Sequence, residues 1–270
     1  MPTLGFIKMH GAGNDFVMVD GTEFSSPLAR EKIAAICDRR RGVGADGLIV
    51  VGPDPRPDVD FRMVYYNADG GEAEMCGNGA RCAVAFAAAR GLHGGRCRFA
   101  TASGVVAGEQ HGAHDVEVLL PGWQDLALNL KVDGSPFAEH HACNTGVPHL
   151  VIVTDDVDAV DVRRWGARLR FAEQFAPAGT NVNWIAPAAG GREWALRTYE
   201  RGVEDETLAC GTGASAAAVI LCHLERLTSP VSIRTRGGDV LVIGVDLGGS
   251  ALSLRGPAVT SFRGEVTIDE

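Results

Sequence analysis

Cys76-Gly77-Asn78-Gly79-Ala80 leads into the apolar run Cys82-Ala83-Val84-Ala85-Phe86-Ala87-Ala88-Ala89. Cys210-Gly211-Thr212-Gly213-Ala214 leads into Ala216-Ala217-Ala218-Val219-Ile220-Leu221. In both stretches a cysteine precedes a glycine-rich turn, and the turn opens an apolar helix. A helix that is hydrophobic on nearly all faces is buried rather than laid on a surface. Each copy therefore predicts a central helix wrapped by other elements, with its N-terminus left open at one end. The offset between the copies is 210 − 76 = 134 residues, and at that offset Thr101 falls on Thr235, Gly104 on Gly238 and Gly122 on Gly256. So long a period is an internal duplication, not a solenoid, whose repeats run to about 20–50 residues.

Outward from the two copies the pattern is mostly strand. Before the first, strands are predicted at 6–10, 16–19, 48–51 and 60–66, with a helix from Ser26-Pro27 to about Cys37 whose N-cap is Ser26. After it come strands at 97–101, 105–109 and 115–119. Near Pro121-Gly122 the order restarts: strands at 138–143 and 149–154, a helix over 161–169, and strands at 182–186 and 193–199 lead to the second copy. Strands at 231–235, 240–245 and 251–254 and a last one within 258–268 follow. The expected fold is α+β: two pseudo-symmetric domains, each a mostly antiparallel, barrel-like sheet around its central helix. The first spans 1–121 plus about 258–270, and the second 122–257.

Composition narrows the function. The chain has 270 residues and a net charge of −9, without a basic block beyond Arg39-Arg40-Arg41, which argues against a nucleic-acid partner. No apolar run reaches the roughly 18 residues of a membrane span, and the start lacks a signal-peptide pattern. An odd number of cysteines, seven, suits reduced thiols in a cytoplasm.

A helix N-terminus carries unpaired N–H groups and about half a positive charge. It lowers the pKa of an adjacent thiol and offers a place for a carboxylate. Two such ends facing one amino acid could hold its carboxylate, remove the α-proton from one face with a thiolate and return a proton to the other from a thiol. The N–H donors would stabilise the charge that develops on the carboxylate. Pyridoxal phosphate needs a Schiff-base lysine in a phosphate cup, and neither Lys8, Lys32 nor Lys131 has such a context. No cofactor is therefore expected. A single Cys-Gly-x-Gly is usually structural, because free cysteine behaves as a small buried hydrophobe. Two copies at one offset point instead to a functional pair. Cys37, Cys82, Cys97, Cys143 and Cys222 read as core, and His140-His141-x-Cys143 lacks a second ligand pair for a metal.

Seven motifs in order make the chain resemble the diaminopimelate epimerase family over essentially its whole length. They are 10–16 (His-Gly-Ala-Gly-Asn-Asp-Phe), 42–47, 66–70, 76–82, 144–149, 179–183, and 199–202 leading to 209–213. The resemblance implies interconversion of LL- and meso-2,6-diaminopimelate for lysine and peptidoglycan-precursor synthesis, without cofactor or metal. It implies that Cys76 and Cys210 are the acid/base pair. Gly77, Asn78, Gly211 and Thr212 would cradle the α-carboxylate. Glu200 would meet the α-amino group and, with His149, tune the thiols. Asn14, Asn67, Asn181 and Arg201 would hold the rest of the substrate, a guanidinium being well matched to a carboxylate. It also implies a homodimer, Phe262 standing where some relatives have a tyrosine at a dimer contact. Val147 and Gly47 depart from the residues many or some members carry, Asn and Gln. A racemase of another amino acid, a thiol redox protein using Cys76 and Cys210, and a catalytically silent amino-acid-binding module are the competing readings.

Overall fold

The computed structural model describes residues 3–23, 27–73, 75–188, 190–191 and 193–267. The chain divides into two compact units, Met1–Val118 with Gly256–Glu270, and Leu119–Arg255. The first holds β1 (Thr3–Gly11), β2 (Asn14–Asp20), α1 (Arg30–Cys37), β3 (Gly47–Gly52), β4 (Phe61–Asn67), β5 (Glu72–Ala73), α2 (Gly77–Ala89), β6 (Arg96–Thr101), β7 (Gly104–Gly112) and β8 (Asp115–Leu120). The second holds β9 (Gln124–Ala127), β10 (Glu139–Asn144), β11 (Pro148–Val153), α3 (Val162–Leu169), β12 (Asn181–Pro187), β13 (Trp194–Glu200), β14 (Asp205–Thr207), α4 (Gly211–His223), β15 (Val231–Arg234), β16 (Val240–Val245) and β17 (Leu252–Pro257). From the C-terminal end β18 (Val259–Thr267) returns to the first unit.

Strand pairing is the same in both. In the first unit the order is β18-β1-β2-β3-β4-β6-β7-β8, with β2–β3 and β4–β6 parallel and β5 on β4. In the second it is β9-β10-β11-β12-β13-β15-β16-β17, with β11–β12 and β13–β15 parallel and β14 on β13. The other pairs are antiparallel. Among the described residues no pairing joins β8 to β18 or β17 to β9, so each strand set is open rather than closed into a barrel. The helices α2 and α4 occupy the same 13 positions displaced by 211 − 77 = 134.

Each unit is layered. On β2, Val17 and Val19 join Leu48 against Ile33 and Ile36 of α1. The alternate residues Phe16, Ile49 and Met63 surround Gly79 of α2. A strand covered on both faces reads as a continuous apolar run, which is why 16–19 is Phe-Val-Met-Val. In the second unit Leu150, Ile152, Val182 and Trp184 form the layer beside α3. Burying each such side chain stabilises by about 1.5–3 kcal/mol. The helix α2 packs on β1, β2, β3, β4 and β7, and α4 on β10, β11, β12, β15 and β16. Among the described residues no helix is long and apolar enough to cross a membrane.

Two sequence expectations need correction. Pro27 does not open α1, which begins at Arg30 with Ala29 as its N-cap and no side-chain cap; Ser26 lies outside the described residues. The start is held from outside, where the Arg30 guanidinium pairs with Asp69 and donates to its carbonyl at 3.0 Å. The short strands β5, β9 and β14 were also not expected. They have two to four residues and too little length for an alternation to show.

Candidate active site

In the first unit Cys76 is the N-cap of α2, with extended backbone (φ −128°, ψ 120°), and Ala80 N–H donates to its carbonyl at 2.8 Å. Gly77 and Asn78 make the first turn, whose N–H groups have no carbonyl within the helix to donate to. Cys76 is half-buried. Its Sγ lies 3.4 Å from Oδ1 of Asn14, and Asn78 Nδ2 donates to the same oxygen at 3.4 Å. Asn14 is placed by the start of β2. Asn67 is exposed at the end of β4, and the register sets Gly47 between it and Phe16. Asn14, Cys76, Gly77 and Asn78 are thus together, with Asn67 two strands along the same sheet end.

In the second unit Cys210 is the N-cap of α4, and here the thiol itself caps: Sγ accepts from Gly213 N–H at 3.4 Å and lies 3.5 Å from Thr212 Oγ1. The first turn, Gly211 and Thr212, is tied down by Thr145, whose hydroxyl donates to Thr212 O at 2.8 Å. Beneath it sits Asn183, so close that a Cβ on Gly213 would stand 2.4 Å from Asn183 Oδ1; only glycine lets the helix rest there. Asn183 Nδ2 donates to Leu150 O at 3.0 Å and to His149 Nδ1 at 3.1 Å, while its oxygen accepts from Thr198. His149 is therefore the tautomer with its proton on Nε2. Burial, with the positive charge of Arg201, pushes its pKa down to about 3. The ring is neutral at neutral pH, and its buried Nε2 has no hydrogen-bond partner among the described residues.

Asn181 stands beside His149 across the parallel β11–β12 register. Its amide donates to Pro148 O at 3.1 Å and its oxygen accepts from Arg201 N–H at 2.8 Å. This fixes the chain where β13 ends and aligns half-buried Glu200 and Arg201. Asn181, His149 and Arg201 form one cluster, and Asn183 joins it to the Cys210 turn.

Sequence reading gave no role to Asn183, Thr145, Asp46 and Arg81, which stand inside the motifs, or to Thr198, which stands outside them. Asn183 stands two residues from Asn181 in one motif, so it shares a face of β12 with it; that periodicity was the available signal. Arg81 is wholly buried in α2, where an arginine in an apolar run is itself a signal. Among the described residues no group of three or more His, Cys, Asp or Glu is set to hold a metal. A cavity of about 430 Å³ in the first unit lies at the other end of α2, lined by Phe86, Ala89, His93, Gln110 and Arg263 among others. No predicted site residue lines it.

The description "diaminopimelate epimerase" belongs to the family model that matches residues 6–120 and 141–261. The chain belongs to the diaminopimelate epimerase family. It is 40% identical to the diaminopimelate epimerase of Aquifex aeolicus over 274 residues, covering 97% of each chain. It is 41% identical to that of Aromatoleum aromaticum over 280 residues, covering 99% of this chain and 100% of the relative. The fold is shared more widely. A hydroxyproline epimerase from Agrobacterium vitis superposes with a TM-score of 0.74 at 15% identity, covering 100% of this chain and 92% of that one. A PhzF-family phenazine biosynthesis protein from Bacillus anthracis gives 0.75 at 15%, covering 99% and 100%.

Proposed function

We propose that this chain interconverts LL- and meso-2,6-diaminopimelate by a two-base mechanism, with Cys76 and Cys210 as the acid/base pair. The observation that carries the reading is the pairing of the thiols: each is the N-cap of the central helix of its own unit, 134 residues from the other, in units of one topology. The thiolate takes the α-proton from one face as the C–H electron pair moves toward the carboxylate. The opposite thiol gives its proton to the other face. The stereocentre inverts and the two sulfurs exchange protonation states. N–H groups of Gly77, Asn78, Gly211 and Thr212 hold the carboxylate where charge develops. Glu200 meets the α-amino group, and Asn14, Asn67, Asn181 and Arg201 hold the remainder. His149, as a neutral ring beside Asn183, tunes the thiols with Glu200 without bringing a charge. Both protons are carried by side chains, so the reaction needs no cofactor. The chain works in a cytoplasm, in lysine and peptidoglycan-precursor synthesis, as a homodimer, on a small amino acid and not on nucleic acid.

Incubation with LL-diaminopimelate in D₂O tests this. Deuterium should enter at the α-carbon as the meso form appears. Cys76→Ala and Cys210→Ala should each abolish epimerisation, since each face loses its proton carrier. Near-wild-type turnover in either variant would refute the pair.

A further inference from the structure

The Asn14 amide can face Cys76 with its oxygen or its nitrogen, and the two choices favour opposite states of the sulfur. An oxygen accepts S–H and favours the thiol; an N–H donates and favours the thiolate. Hydrogen-bond polarity decides which is present. Arg81 has only donors, and its Nη2 donates to Asn78 Oδ1 at 2.9 Å. That leaves Asn78 Nδ2 to donate to Asn14 Oδ1. At the far end the Asp46 carboxylate only accepts, and it takes Asn14 Nδ2 at 2.6 Å. From guanidinium to carboxylate the chain runs one way. Turning the Asn14 amide would set oxygen against carboxylate and nitrogen against nitrogen.

Asp46 is itself held. Arg39 Nη2 pairs with its Oδ1 at 2.6 Å, and Asp15 N–H donates to its Oδ2 at 3.2 Å. Asp15 in turn receives Arg39 at 2.7 Å and Lys8 at 2.7 Å. Among the described residues the charged groups of this network are Lys8 from β1, Asp15 from β2, Arg39 after α1, Asp46 before β3 and Arg81 from α2, and the titratable His10 of β1 stands opposite Asp15, its Nδ1 accepting from Gly13 N–H at 3.3 Å. In the second unit Cys210 Sγ accepts from the Gly213 N–H at 3.4 Å and lies 3.5 Å from Thr212 Oγ1.

We propose that Asp46 is a positioning residue for Cys76: it holds the Asn14 amide with its oxygen toward Sγ, so that Asn14 accepts the thiol proton and Cys76 rests as the proton donor of the pair. The role of donor rests on the epimerase reading; the orientation does not.

The test reads the sulfur without turnover. Alkylation of the full-length protein by iodoacetamide is followed against pH by peptide mass spectrometry, in wild type, Asp46→Asn, Asn14→Ala and the double variant. Asp46→Asn frees the amide to turn and should lower the Cys76 midpoint by about one pH unit, with the Cys210 peptide unmoved. Asn14→Ala should lower it too, and adding Asp46→Asn to it should change nothing further. Because the Asp46 side chain is 43% exposed, no buried cavity results, and Asp46→Ala serves as a second variant with the same expected shift. An unmoved Cys76 midpoint in folded Asp46 variants overturns the proposal. So does a shift that persists in full without Asn14, or one shared by Cys210. A wild type that fails to exchange the substrate's α-proton would remove the epimerase reading instead, and leaves the alkylation comparison intact.

Discussion

Acid should destabilise the second unit through His149, whose ring burial holds neutral in the folded state. The ring is 1% exposed, and its pKa falls from near 6.5 to about 3 because burial disfavours the cation and Arg201 repels it. The folded state therefore binds fewer protons than the unfolded chain below pH 6.5, and stability falls as pH falls. The contribution is complete above about 6.5 and is lost progressively down to about 3. Well inside that window the slope is about 1.4 kcal/mol per pH unit, so between pH 8 and pH 5 the loss is about 2 kcal/mol. That figure depends on the unfolded value alone, as long as the folded pKa stays well below 5. His149→Asn keeps an acceptor for Asn183 and cannot titrate. All four tryptophans, Trp123, Trp165, Trp184 and Trp194, belong to the second unit, so their fluorescence in urea reports its unfolding. The stability difference between wild type and variant should shrink by about 2 kcal/mol from pH 8 to pH 5. Carboxylates and the other histidines are common to both proteins and cancel. A difference that stays constant over that range would show that His149 is not held neutral by the fold.

Gly47→Ala should destabilise the first unit by about 1–3 kcal/mol, since its Cβ would stand 2.4 Å from Tyr66 O and 2.6 Å from the Tyr65 ring. Calorimetry reads it, and a change under about 0.5 kcal/mol would mean that the β3–β4 pair gives way freely. In the proposed reaction Arg201→Met should lower kcat/KM for diaminopimelate by at least about thirtyfold, from the loss of a charge partner for the distal carboxylate. An unchanged kcat/KM would assign that end to another group.

Most strands were legible because length and two-sided burial gave them apolar runs. The helices α2 and α4 were legible down to the N-cap, because a cysteine before glycines marks where an apolar run must begin. What escaped has a physical reason in each case. The strand β9 is four residues, half-exposed or exposed throughout, so no alternation announces it. Asp46 and Arg81 act through hydrogen-bond direction across 32 and three residues of sequence, and direction has no periodicity. The neutral state of His149 depends on burial beneath α4, which only the packed structure supplies.

The two units share a backbone plan far more closely than they share side chains. At the offset of 134, Cys76 falls on Cys210 and the helices coincide, yet Asp15 falls on His149, Asn67 on Arg201 and Arg81 on Ser215. The last pair shows how far equivalence extends: Ser215 Oγ donates to Gly211 O at 2.9 Å, and Arg81 Nη1 reaches the matching Gly77 O at 3.4 Å. One carbonyl is answered in both units, but only the arginine has donors left over to orient Asn78 and, through it, Asn14. In the proposed reaction inversion at the α-carbon asks the same of both thiols, and each unit supplies a 13-residue helix with a cysteine as its N-cap. The state of each thiol before turnover, and the far end of the substrate, ask different things of the two sides. In that proposal the demands fall on groups that differ between the units: the Asn14 oxygen beside Cys76, the Gly213 N–H and Thr212 hydroxyl beside Cys210, and Arg201 in one unit where the other has Asn67.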